Sequence, residues 1–173
     1  MKLTRSLQSF ALVTLLFGCA STYNKTVSHV EIKRFMGPWH VQAGRFTSFE
    51  KDPYNSVESY TWNEKENRID VDFHYNQGGF DGPRKEIPQK AFIENKQTNA
   101  HWKIQVWWPL RFSYLIVALD PNYEWTAIGV PDEKYLWIMS RTPHLPREKV
   151  SEIVKDLDRL GYSTKDLQFV QHK

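Results

Sequence analysis

Asp70, Asp72 and His74 alternate along one short stretch of this 173-residue chain. Two carboxylates and an imidazole on one face of an extended strand have the makings of a metal site or an acid–base pair. The residues between them, Val71, Phe73 and Tyr75, are apolar. That alternation turns the apolar set to a core and the charged set to solvent. The six histidines are scattered and show no paired spacing for zinc. No G-x-S-x-G elbow is present. Cys19 is the single cysteine. The chain therefore offers no catalytic constellation, and the expectation is a binding protein that uses neither metal nor cofactor.

Cys19 carries the chemistry that is left. Lys2 and Arg5 precede an apolar run, Phe10 to Phe17, and small residues flank the cysteine at Gly18 and Ala20. This charged, apolar, small-residue order is that of a secretory signal. The run is shorter than the ~20 residues that cross a bilayer. Residues 1–18 resemble a bacterial lipoprotein signal, with Leu16-Phe17-Gly18-Cys19 as the lipobox. The resemblance implies cleavage before Cys19, acylation of that residue and anchoring in the outer membrane, facing the periplasm. A lone thiol used as an anchor leaves none for a disulfide, so the domain must be held by its core. Removing Lys2 and Arg5 from Lys+Arg 23 leaves 21 against Asp+Glu 20, close to neutral. No basic stripe argues for nucleic acid.

Residues 19–28 are expected as the acylated cysteine and a polar tether, and residues 29–173 as one domain. From Pro38 onward, runs of Val, Ile, Tyr, Phe and Trp alternate with turn clusters such as Gly78-Gly79 and Asp81-Gly82-Pro83. These predict strands over Trp39–Phe49, Ser56–Asn63, Arg68–Asn76, Arg84–Glu94, His101–Trp108, Phe112–Asp120, Glu124–Val130 and Lys134–Arg141. Eight successive strands with short connections predict an all-β, antiparallel up-and-down barrel. In the sixth strand Tyr114, Ile116 and Ala118 share one face, and Leu115, Val117 and Leu119 the other. Both faces are apolar, so the outer one needs cover. Val150, Ile153, Val154, Leu157 and Leu160 recur at helical spacing and predict one amphipathic α-helix packed on the wall. Leu167–Val170 has the look of a last short strand.

Consecutive loops of such a barrel alternate between its ends. Trp39, Tyr123 and Arg141 therefore meet at one end, which they close. Phe49, Tyr54, Phe80, Trp107, Trp108, Leu110 and Pro131 gather at the other. A rim so rich in apolar residues marks a ligand portal, a membrane contact or a protein interface. Lys51, Arg84 and Arg111 lie near it.

Gly37-Pro38-Trp39 at the first strand matches the G-x-W motif of the lipocalins. Asp120-Pro121-Asn122-Tyr123 stands where their second motif falls, and Arg141 matches the arginine of the third. With the lipobox, the chain resembles the bacterial outer-membrane lipoprotein lipocalins, the branch similar to apolipoprotein D. The resemblance implies an eight-stranded calyx, barrel closure by Gly37, Trp39, Tyr123 and Arg141, and a small lipophilic ligand. A fatty acid or lysophospholipid fits that class, for transport or storage in envelope maintenance. Strand parity selects Tyr60, Phe73, Tyr75, Tyr114, Tyr135 and Trp137 as lining residues. Two rivals stay open: a lipocalin-fold enzyme acting on a lipophilic substrate, and an interaction module with a filled barrel whose rim grips another protein or its own copy as a homodimer.

Overall fold

β-Branched and aromatic residues at period two, punctuated by turns, make strands whose alternate side chains bury on one face. In the computed structural model, which describes residues 22–173, they form eight: β1 (Gly37–Arg45), β2 (Pro53–Asn63), β3 (Arg68–Gln77), β4 (Arg84–Ile93), β5 (His101–Gln105), β6 (Phe112–Leu119), β7 (Trp125–Gly129) and β8 (Leu136–Ser140). Each pairs antiparallel with the next. β1 pairs with both β2 and β8, so the sheet closes into a barrel. A short helix α1 (Ile32–Phe35) precedes β1, and α2 (Arg147–Leu160) and a two-residue β9 (Gln168–Phe169) follow β8.

Closure between β1 and β2 is partial. They pair only from Gly37 to His40. Farther along, β9 pairs with Ala43 and Gly44, and Asn55 N–H donates to the Gln171 carbonyl at 2.8 Å. The C-terminal segment fills the gap where the two strands diverge. β1 ends at Arg45, earlier than the expected Phe49, because the chain turns there into the loop 46–52.

Two apolar clusters lie on opposite sides of the barrel wall. The inner one includes Trp39, Val41, Tyr60, Val71, Phe73, Tyr75, Trp102, Tyr114, Ile116, Ile128 and Met139. The outer one joins Leu115, Val117, Ala127 and Ile138 to Val150, Ile153 and Leu157 of α2. Leu160, expected on the buried stripe, is 39% exposed at the helix end. Gly161 adopts φ +82° there and its N–H donates to Asp158 and Leu157, a left-handed C-cap that suits glycine. Gly129 matters through its missing side chain. A Cβ there would lie 2.5 Å from the ring of Tyr162, whose hydroxyl donates to the Tyr135 carbonyl at 2.7 Å.

The parity expected for β6 fails at its last two residues, Ala118 and Leu119. A register shift falls between Ile116 and Ala118. This bulge turns Ala118 out to the α2 side and brings Leu119 against the inner cluster.

The stretch expected as a free tether is also laid down, from Tyr23 on. Tyr23 is buried and stacks edge-on against Tyr162 at 4.8 Å. Val27 N–H donates to the Ile116 carbonyl at 2.9 Å and Val30 N–H to Thr98 at 2.7 Å. Few large side chains stand in this segment, but its backbone bonds and Tyr23 hold it to the wall. Cys19 and the expected signal lie outside the described residues.

Candidate functional site

One end of the barrel is plugged. Met36 ends α1 in extended conformation, and Gly37 turns the chain into β1 at φ +94°. Only glycine takes that angle at little cost. Trp39 is fully buried, and its indole N–H donates to the Phe35 carbonyl at 2.8 Å. The Arg141 guanidinium lies 3.8 Å over the Trp39 ring. It also donates to the carbonyls of Pro38 at 2.9 Å, Arg34 at 2.6 Å and Phe35 at 3.1 Å. The Arg34 and Phe35 carbonyls end the four-residue helix, which has no next turn to bond them, and the Pro38 carbonyl belongs to β1. Burial lowers the Arg141 pKa. Tyr123, in the loop between β6 and β7, accepts the Glu31 N–H at 2.8 Å and stacks under Arg34 at 4.1 Å.

Above the plug, aromatic side chains fill the bore. Phe35 meets Trp39, Tyr60 and Trp102 at 5.0–5.3 Å. Trp102 stacks on Tyr114 at 5.7 Å, and Tyr114 stacks on Trp137 at 6.5 Å. Phe73 and Tyr75 lie on the facing wall, 5.7 Å apart. Tyr60, Phe73, Tyr75 and Tyr114 are all buried, while Trp137 is half-buried. Tyr135 stands just before β8, half-buried, with its ring 5.9 Å from Trp137.

The interior also carries acid. Glu58 shares parity with Tyr60 and is buried. Glu58, Tyr60 and Tyr114 form a closed triangle of hydrogen bonds, with Tyr114 Oη to Glu58 Oε2 at 3.1 Å. Three contacts need three protons, which the cluster holds only when Glu58 is a neutral acid. Burial pushes Glu58 up to about 7, with Glu50 adding to the rise. The same burial drives Tyr60 and Tyr114 well above the ordinary tyrosine value.

Glu50 enters from the opposite end. It belongs to the loop 46–52, yet its carboxylate turns inward and is 7% exposed. It accepts the Trp137 indole N–H at 2.8 Å and the Thr47 hydroxyl at 2.8 Å. Burial raises its pKa. Tyr75 Oη donates to the Phe49 carbonyl of the same loop at 2.5 Å. The loop thus covers the mouth, held by one side chain from β8 and one from β3. The Glu58 signal was present in the sequence, since Tyr60 parity places residue 58 inward too. Glu50 gave no such signal, because loops have no period.

The rim aromatics separate into two groups. Phe49 and Trp107 meet edge to face at 5.0 Å, beside Trp108, Leu110 and Phe112. Tyr54 and Phe80 instead pack on each other at 5.2 Å and are half-buried. Asp70 and Asp72 lie on the outer face, where Asp70 pairs with Arg68 at 2.7 Å. His40 and His172, far apart in sequence, approach to 5.5 Å. Among the described residues no three His, Cys, Asp or Glu are grouped to hold a metal.

An eight-stranded antiparallel barrel with an apolar bore, an Arg-on-Trp plug and a C-terminal wall helix is the architecture of a lipocalin. Residues 30–172 match the lipocalin-like domain family, and the chain belongs to it. It is similar to the outer membrane lipoprotein Blc of Vibrio cholerae, 28% identical over 162 residues that cover 92% of this chain and 94% of that one. The Escherichia coli K12 protein of the same name is 27% identical over 145 residues, covering 84% and 81%. Among solved structures, the cockroach allergen Per a 4 superposes with a TM-score of 0.63 at 14% identity, covering 87% of this chain and 94% of that one. At that identity the likeness concerns the fold alone.

Proposed function

We propose that this lipocalin is an outer-membrane lipoprotein, anchored through acylated Cys19 and facing the periplasm, that takes a fatty acid or lysophospholipid into its barrel for lipid carriage or storage. One observation carries the reading. Tyr60, Tyr114 and Trp137, with Phe73 and Tyr75 on the facing wall, line the bore from the plug to a mouth crossed by the loop 46–52. An acyl chain entering there displaces the loop and reorders the aromatics, and each buried methylene contributes ~0.8 kcal/mol. The relatives named outer membrane lipoprotein Blc support the location. No reaction is assigned, since the Glu58 cluster is closed on itself. The mutual contacts of the bore aromatics favour a second reading, a filled barrel whose rim is the working surface.

Calorimetry on delipidated protein separates the two. Saturable binding that strengthens with chain length, and loss of a tryptophan emission change in Trp137→Phe, are the expected results. No heat with any acyl chain overturns the carrier. For the anchor, Cys19→Ser should abolish palmitate labelling, and equal labelling of both proteins overturns it.

A further inference from the structure

The described chain begins at the mouth of the barrel. Tyr23 N–H donates to the Pro131 carbonyl at 2.8 Å, in the loop between β7 and β8. From there the segment descends the wall through Val27 and Val30 to Glu31, which bonds Tyr123 at the plugged end. Cys19 precedes Tyr23 by four positions, a reach of at most about 14 Å. Whatever holds Cys19 therefore lies close to the mouth and far from the plug.

The loops of the same end expose several large apolar side chains. Trp108 is 86% exposed, Phe49 57%, Leu110 56%, Phe112 52% and Trp107 50%. The Phe49–Trp107 contact joins the loops 46–52 and 106–111 into one surface. Lys51 and Arg111 stand in the same loops, both exposed; Arg111 rests 3.8 Å over the Phe92 ring, and neither forms an ion pair among the described residues. Tryptophan and aliphatic residues with two cations in the same loops match the boundary between lipid headgroups and acyl chains. The cations complement lipid phosphate.

We propose that this rim docks onto the phospholipid bilayer holding the Cys19 anchor. Trp107, Trp108, Leu110 and Phe112 sit at the headgroup–acyl boundary, and Lys51 and Arg111 on lipid phosphates. The inference rests on the anchoring proposed above. The short lead from Cys19 and the position of Tyr23 turn the mouth toward the membrane. An acyl ligand then passes between bilayer and barrel without crossing water. Contact of Phe49 with lipid also draws on the loop that carries Glu50, so docking and opening of the mouth are linked.

The test uses full-length acylated protein in vesicles of phosphatidylethanolamine and phosphatidylglycerol, with bromine atoms near the top of the acyl chains as quenchers. Flotation reports the anchor and quenching of tryptophan reports the rim. Wild type should float and be quenched. The double variant Trp107→Phe with Trp108→Phe should float equally and lose the rim share of quenching. Both changes lie at exposed positions, so the fold survives them. Brominated lipid inside the barrel quenches both proteins alike and cancels in the difference. Equal quenching in floating protein overturns the docking and leaves the anchor standing. Failure to float overturns both. A disulfide dimer formed by Trp108→Cys on the vesicles assigns the rim to a second copy and overturns the proposal.

Discussion

The Glu50 carboxylate accepts the Trp137 indole N–H at 2.8 Å. A loop residue and a strand residue 87 positions apart thereby pin the cover of the mouth to the mouth end of β8. The arrangement puts Glu50 inside while its neighbour Phe49 remains outside, 57% exposed. The loop is therefore amphipathic across two adjacent residues, one side chain held in the bore and the other packed on Trp107 at the rim.

Glu50→Ala removes that pin and leaves the Trp137 N–H unpaired. The expected cost in stability is about 1 kcal/mol, the net worth of a hydrogen bond. The association rate of an acyl ligand should rise several-fold in stopped-flow fluorescence. Glu50→Gln, which keeps an acceptor for the indole, should fall between Ala and wild type. An unchanged rate in Glu50→Ala would mean that the loop does not gate the mouth.

Arg141 and Trp39 share one contact at 3.8 Å, and Arg141 alone serves three carbonyls. Arg141→Ala and Trp39→Ala should each destabilise by about 2–4 kcal/mol, from orphaned carbonyls in one and a cavity in the other. The double variant should lose less than the sum, by ~0.5–2 kcal/mol. Denaturant titrations of the four proteins give the coupling directly, and strict additivity would deny the stack any energy.

Glu58 makes stability depend on pH. Its folded pKa is raised from 4.5 to about 7 by burial, so folding takes up a proton between those values. The contribution is full below about 4.5 and is lost as pH rises through about 7. The loss amounts to roughly 3 kcal/mol, from 1.36 kcal/mol per pKa unit. The Glu58 contribution should fall from pH 5 to pH 8, with Glu50, also raised by burial, in the same direction, and His40, His74, His101 and His172, lowered by burial, working against it. Glu58→Gln, neutral at every pH, lacks that contribution, so its melting temperature relative to wild type should climb from pH 5 to pH 8. A difference between the two proteins that stays constant across this range would show the cluster to be ionised.

The β6 bulge sorts two similar substitutions. Ile116 faces the bore and Ala118 faces α2. Ile116→Trp should block acyl binding, whereas Ala118→Trp should push on Val150 and Leu157 and lower the melting temperature with binding retained. Calorimetry beside thermal melts checks both. Loss of binding in Ala118→Trp alone would reverse the assigned faces.

The strands and the wall helix could be read from residue order because their periods are local. Val71, Phe73 and Tyr75 share a face through the geometry of an extended chain, whatever lies opposite. Val150, Ile153 and Leu157 share a stripe for the equivalent reason in a helix. The Gly37-x-Trp39 and Arg141 pairing was legible too, since alternating loops bring those strand ends together. What the sequence left open depends on partners distant along the chain. The bulge after Ile116 exists because β6 must bend against β7, so no local pattern announces that Ala118 turns outward. The inward turn of Glu50 is decided by Trp137, and the descent of Tyr23–Val30 along the wall by carbonyls of Pro131, Ile116 and Thr98. Periodicity determines which side chains share a face. Only the closed barrel determines which loop covers its mouth and at which end Tyr23 is held.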